Sequence, residues 1–188
     1  MARIDGRRLR SEASRARIVE AMLELIRSGV ILPSAEQVAA RAGVGLRTVF
    51  RHFTDLESLF AEMGEAIEAE LRAMADEPFV GRTWRERVLE LVARRGGGFE
   101  VIAPFRRAAD ALRHGSPALQ SDHAKLTAAL REILLRQLPD EVRADLALVE
   151  ALDLLLSYEA WDRLRRDQGL PPDAARAALA RAVSALLA

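Results

Sequence analysis

A chain of 188 residues is long enough for one mid-sized domain, or for a small module fused to a larger one, and for a sizeable core. Half of its residues are hydrophobic and 30% are charged, and no stretch approaches the roughly 20 unbroken apolar residues of a membrane span. Cysteine is absent, which excludes disulfides, thiolate zinc sites and cysteine nucleophiles.

The formal net charge is zero, but its distribution is uneven. Up to Phe53 the chain carries Arg3, Arg7, Arg8, Arg10, Arg15, Arg17, Arg27, Arg41, Arg47 and Arg51 against Asp5, Glu12, Glu20, Glu24 and Glu36, a surplus of five positive charges that the remainder cancels. A basic head on an acidic body suits a reader of nucleic acid, because phosphates attract one end and repel the other. The first ten residues hold charge where a secretory leader needs an apolar run, so the expected location is the cytoplasm.

Periodicity is helical throughout, so the predicted fold class is all-α: an arm and a three-helix DNA-binding unit over residues 1–53, a connecting helix over 54–77, and a helical bundle over 78–188. The first helix is expected from about Ser14 to Ser28, with Ile18, Met22, Leu25 and Ile26 on one face and Gly29 as its stop. Ser34-Ala-Glu-Gln37 has the pattern of a capping box and opens a short second helix that ends at Gly43. A third runs from Leu46 to His52. Thr54-Asp-Leu-Glu57 reads as another capping box, launching a long helix that carries Leu56, Leu59, Phe60, Met63, Ile67 and Leu71.

In the body, a helix from Thr83 to Arg95 is expected to break at Gly96-Gly97-Gly98, and another spans Phe99 to His114 with Pro104 kinking it or delaying its start. Ser116 caps a helix with Pro117 at its first position, running to Leu138. Pro139-Asp140 starts a long helix to about Gln168, Gly169 stops it, and Pro171-Pro172-Asp173 leads into the last helix, Ala174 to Leu187.

The stretch from Ser34 to Phe53 is the most informative. Two short helices joined through Ala42-Gly43-Val44-Gly45 match a helix-turn-helix, since Gly43 tolerates the left-handed backbone of such a turn and Ala39 lets the helices approach. Val38, Val44, Val49 and Phe53 can close a small core, which leaves Leu46, Arg47, Thr48, Phe50, Arg51 and His52 for the outer face of the second helix. Arg47 suits guanine, Leu46 or Phe50 a thymine methyl, and Thr48, Arg51 and His52 phosphates or base edges. Gly45, and the helix starts at Ser34 and Thr54, complete the candidate DNA-binding set, helix N-termini being ready phosphate sites.

From Arg15 to Phe60, and above all over Ser34-Ala-Glu-Gln-Val-Ala-Ala-Arg-Ala-Gly-Val-Gly-Leu-Arg-Thr-Val-Phe-Arg-His-Phe-Thr-Asp-Leu-Glu-Ser-Leu-Phe, the sequence resembles the DNA-binding signature of TetR-type (tetracycline-repressor-like) regulators. The resemblance implies about nine helices, a homodimer on a palindromic operator in double-stranded DNA, and release by a small-molecule effector. Phe50 stands where that family commonly has tyrosine, and Thr54 where it often has lysine, so two phosphate anchors are missing. Arg7, Arg8 and Arg10 of the arm are candidates to replace them, in a minor groove or on flanking phosphates.

By the same analogy, Phe99, Phe105, His114, Tyr158 and Trp161 are candidate effector-binding residues, although plain core packing accounts for the aromatic ones equally well. Asp153 is a further candidate for orienting a ligand. Leu148, Leu152 and Leu155, with Trp161 nearby, form an apolar stripe, and the last helix is rich in small residues (Ala174, Ala177, Ala178, Leu179, Ala182, Val183, Ala185 and Leu186), so two such hairpins can form a four-helix dimer interface. No catalytic constellation, metal site or cofactor motif stands out: the three histidines are scattered, and the glycine triplet lacks the lysine and strand of a phosphate loop. A regulator, more specifically a repressor, is the expected function. A helical protein-interaction module without DNA binding and a transcriptional activator are the alternatives.

Overall fold

The computed structural model describes residues 6–75 and 77–188, and leaves the side chains of residues 6, 7, 56, 66 and 68–75 undescribed. The arm residues Arg3 and Arg7 and the helix positions Leu56 and Leu71 therefore lie outside the described side chains. The described residues form ten α-helical segments and no strand: α1 (Gly6–Arg27), α2 (Ala35–Ala42), α3 (Leu46–His52), α4 (Leu56–Ala75), α5 (Trp84–Arg113), α6 (Pro117–Gln137), α7 (Asp140–Arg143), α8 (Leu146–Leu155), α9 (Tyr158–Asp162, continued by a π-helical turn over Arg163–Asp167) and α10 (Pro172–Leu186). The all-α expectation holds. No described helix is long and apolar enough to cross a membrane.

Two compact units emerge, one comprising residues through Glu70 together with Pro104–Ser121, the other Leu71–Ala103 and Asp122–Ala188. The core of the first gathers the apolar stripe of α1 (Ile18, Met22, Leu25, Ile26), Val38 and Ala39 of α2, Val49 of α3, Phe53, and Leu59, Phe60 and Met63 of α4. Phe105, Ala108 and Leu119, far along the chain, close it. Ser116 is buried there as the cap of α6: its hydroxyl accepts from the Leu119 amide at 3.1 Å and donates to the Glu57 carboxylate.

Helix α1 begins at Gly6 rather than near Ser14, so the described part of the arm is helical. Arg8 and Glu12 pair one turn apart there at 2.8 Å, an exposed contact of the kind that supports a helix only weakly. Thr54 is not the cap of α4. The Asp55 carboxylate accepts from the Ser58 amide at 2.7 Å, Thr54 donates its hydroxyl to Asp55, and Glu57 is taken by Ser116. A carboxylate outcompetes a neighbouring hydroxyl for backbone donors, because the charge strengthens the bond.

In the second unit two expectations fail. Helix α5 runs unbroken for 30 residues through Gly96-Gly97-Gly98 and Pro104. Each glycine costs a helix about 1 kcal/mol relative to alanine, which packing can offset. Gly96 shows how: a Cβ there would lie 2.9 Å from the Trp161 ring, so the bare backbone is what lets the indole seat against the helix. The stretch after Pro139 is divided rather than continuous, because side-chain caps restart the helix twice. Asp145 accepts from the Leu148 amide at 3.1 Å to open α8, and Ser157 accepts from the Ala160 amide at 3.1 Å to open α9.

Other local readings match. Helix α5 starts beside Thr83, as expected, and an unanticipated capping box opens it, with Thr83 Oγ1 accepting from the Glu86 amide and the Glu86 carboxylate accepting from the Thr83 amide. Gly169, at φ 67°, stops the chain before Pro171 and α10. Among the described residues of this unit, Arg95 is the buried charge. Its guanidinium donates to the carbonyl oxygens of Leu156, which ends α8, and Leu130 of α6, at 2.8 and 2.5 Å.

Candidate nucleic-acid interface

The helix-turn-helix is assembled from the backbone outward. At the start of α2, Ser34 is extended (φ −76°, ψ 159°); its hydroxyl accepts from the Gln37 amide at 3.3 Å, and its own amide donates to Gln37 Oε1 at 2.8 Å. This reciprocal pair satisfies two amides that the helix cannot. At the other end Gly43 takes a left-handed conformation (φ 63°), its amide donating to the Ala40 carbonyl and that of Val44 to the Ala39 carbonyl. These are the two bonds of a Schellman stop. Gly45 then returns to extended backbone (φ −71°, ψ 147°) and opens α3 without a side-chain cap.

Val38, Val49 and Phe53 are buried and Val44 half-buried, as the helix-turn-helix pattern requires. Their burial turns Leu46, Arg47, Phe50 and Arg51 outward. The spacing of these four puts them on one face, and Phe50 is 55% exposed. With Leu46 also exposed and Arg47 and Arg51 beside the ring, this face combines apolar and cationic groups. Elsewhere in this unit Arg8, Arg15, Arg27 and Arg41 pair with Glu12, Glu62, Glu20 and Glu24. Among the described residues neither Arg47 nor Arg51 has such a partner, so their charge faces outward uncompensated.

The remaining candidates are placed differently. Thr48 is half-buried, and Ser34, Gly45 and Thr54 are exposed. His52 is half-buried with its Nε2 sealed from solvent and without a hydrogen-bond partner. Burial, then the Arg51 and Arg15 charges, push its pKa below the usual value, against the opposing pull of Glu62. The imidazole is thus a neutral ring turned partly inward, rather than a cation presented with Arg47. At the α4 start, Asp55 is held below the ordinary carboxylate range, chiefly by the Ser58 amide, so a negative charge already occupies that end.

Two features of the site escape the local sequence pattern. One is the Asp55 cap, masked by the better-known Thr-x-x-Glu pattern beside it. The other is Arg15, which donates to the His52 carbonyl at 2.8 Å, pairs with Glu62 and stacks over the Phe53 ring at 4.5 Å. Its partners lie 37 and more residues away in sequence.

The five effector candidates are divided between the units. Phe99, Tyr158 and Trp161 are together in the second: the Phe99 and Tyr158 rings meet edge to face at 5.6 Å, Tyr158 donates its hydroxyl to Asp162 at 3.3 Å, and the indole of Trp161 donates to Glu100 at 2.8 Å. All three are buried. Phe105 belongs to the core of the first unit, beneath Arg27 at 5.5 Å, and His114 is exposed at the end of α5. Asp153 pairs with Arg131 at 2.9 Å.

No family model and no curated protein matches the sequence. Among solved structures, the chain is similar to a TetR transcriptional regulator from Rhodococcus sp. RHA1 (23% identity, 94% of this chain and 96% of that one, TM-score 0.60). It is also similar to a TetR-family transcriptional regulator from Streptomyces coelicolor (19% identity, 93% and 80%, TM-score 0.67). A third is the multidrug-binding protein EbrR complexed with ethidium (24% identity, 90% and 97%, TM-score 0.62). Over nearly its whole length, the chain has the fold of the TetR-family transcriptional regulators.

Proposed function

We propose that the protein is a DNA-binding transcriptional regulator of the TetR type, a binding protein rather than an enzyme, and that it represses until a small molecule releases it. The reading rests on one observation above all. Helix α3, fixed by the capped α2 and the Gly43 turn, presents Leu46, Arg47, Phe50 and Arg51 on one open face where, among the described residues, no carboxylate answers the two guanidiniums. In a major groove Arg47 pairs with a guanine edge, Phe50 or Leu46 lies on a thymine methyl, and Arg51 holds phosphate. Ser34, Gly45, Thr48 and Thr54 border the backbone, while His52 supports α3 from beneath.

The arm and residues through Phe53 bind DNA, residues 54–77 connect, and the remainder takes the effector and dimerises. Two copies read the halves of a palindrome, about 34 to 36 Å apart on one face of the duplex. Burial of Leu152 and Trp161 within the chain moves the dimer face away from those residues. Leu154, Ala177, Ala178, Ala185 and Leu186, exposed on α8 and α10, are the residues that a second copy would cover. The ethidium complex of the similar EbrR supports a flat, partly apolar effector, with Phe99, Tyr158 and Trp161 as the aromatic group to receive it. Cytoplasmic location follows from the function.

The test is a mobility shift on the DNA flanking the protein's own gene, at two salt concentrations. Salt-sensitive binding of the wild type is expected, and Arg47→Ala should lose about 1 to 3 kcal/mol of affinity for the preferred duplex without a change in unfolding midpoint. Binding of no duplex at low salt would defeat the proposal.

A further inference from the structure

The carbonyl of His52 ends α3. Phe53 is extended (φ −131°, ψ 119°), so the backbone leaves the helix, and among the described residues no backbone amide outside the helices donates to that oxygen. Arg15 of α1 supplies the donor instead, at 2.8 Å, and the same guanidinium pairs with Glu62 of α4 and lies over the Phe53 ring. One planar cation thus joins α1, the last turn of α3 and α4. A cation also favours a helix C-terminus, where the peptide dipoles leave partial negative charge. The fork geometry matters: a guanidinium can donate to a carbonyl and a carboxylate at once in fixed directions, whereas an ammonium holds neither direction.

Resting on the DNA-reading function proposed above, we infer that Arg15 and Glu62 form a positioning clamp that sets the angle of the reading helix, and that Arg15 does not act as a phosphate contact. The clamp touches neither base nor backbone of a duplex. It holds the seven-residue α3, too short to be stable alone, in the one orientation that puts Arg47 and Phe50 into the groove together. Its contribution therefore appears in discrimination between sequences and not in general affinity.

The sign of one variant separates the two roles. Glu62→Gln removes an acidic charge near the interface, so if Arg15 contacted phosphate it would free that cation and tighten binding to every duplex. If the clamp positions α3, the same change weakens binding to the preferred duplex.

The experiment measures affinities of the full chain for two probes: a duplex enriched by the wild type from a randomised library, and an unrelated duplex of equal length. Arg15→Gln, Arg15→Lys and Glu62→Gln are compared over a salt series, with circular dichroism showing each variant folded. Glu62→Gln and Arg15→Lys should each lower the ratio of preferred to unrelated affinity about tenfold, with the salt slope unchanged. Should Arg15→Gln not fold, Glu62→Gln and Arg15→Lys decide the matter. Equal weakening on both probes by Arg15→Gln with a smaller salt slope, or tighter binding of both by Glu62→Gln, overturns the clamp while leaving the function intact. A wild type that enriches no sequence overturns both.

Discussion

Arg47 and Arg51 of the first compact unit and Arg95 of the second use the guanidinium in opposite ways. Around α3 the guanidiniums of Arg47 and Arg51 stay in water, where keeping them charged costs little and a phosphate can still recruit them. In the second unit Arg95 is 7% exposed, and its charge is answered by the carbonyls of Leu156 and Leu130. Burial brings its pKa down to about 10, against the opposing pull of Asp153. It remains protonated at neutral pH, but its Nε has no partner. An exposed cation is available for recognition, whereas a buried one is committed to structure, and removing each should injure a different property.

The sharpest way to break this contrast is Arg95→Met. The carbonyl of Leu156, at the end of α8, loses its donor, whereas that of Leu130, inside α6, keeps its helix bond. An orphaned buried group costs about 1 to 3 kcal/mol, so urea unfolding should show a loss of about 2 kcal/mol, with DNA binding spared at temperatures where the chain stays folded. An unfolding midpoint within error of wild type would mean that the buried guanidinium contributes nothing to stability.

Next in size is Gly96→Ala, a change that normally stabilises a helix. Here the added methyl would meet the Trp161 ring at 2.9 Å. A forced shift of a buried indole costs about 1 to 3 kcal/mol, more than the improved propensity returns, so the thermal midpoint should fall and not rise. Ser34→Ala tests the first unit in the same currency. It deletes one half of a capping box and should cost about 1 kcal/mol, measurable by urea unfolding, together with weaker DNA binding because α2 buttresses α3.

The smallest effect concerns His52. Its pKa in the folded chain lies below the usual 6.5, so between those two values the unfolded chain binds a proton that the folded one refuses. Stability is therefore full above the unfolded pKa and declines as pH falls through 6.5 toward the depressed value, beyond which the loss is complete. His52→Gln should flatten unfolding midpoints across that window; an unaltered pH profile would mean that the imidazole is not sealed as described.

What the residues determine by themselves is whatever a few neighbours decide. The Ser34 box, the Gly43 stop, the α3 limits, the Ser116 cap and the Gly169 stop each satisfy backbone groups within four or five residues, and all are readable along the chain. Exposure of Leu46, Arg47, Phe50 and Arg51 follows from helical spacing against Val49 and Phe53. Competition between nearby signals was less legible, as Asp55 displacing Thr54 and Asp145 and Ser157 dividing an apparently continuous helix demonstrate.

Long-range packing decided the rest. Helix α5 runs on through its three glycines, and at Gly96 the Trp161 ring, 65 residues away in sequence, packs where only a glycine leaves room. Phe105 went to one core and Phe99 to the other, and Arg15 found its acceptors on α3 and α4. Local hydrogen bonds have their partners fixed by chain geometry, so their outcome is written in the neighbouring residues. Burial and ion pairing depend on which distant surfaces meet, and only the folded chain settles that.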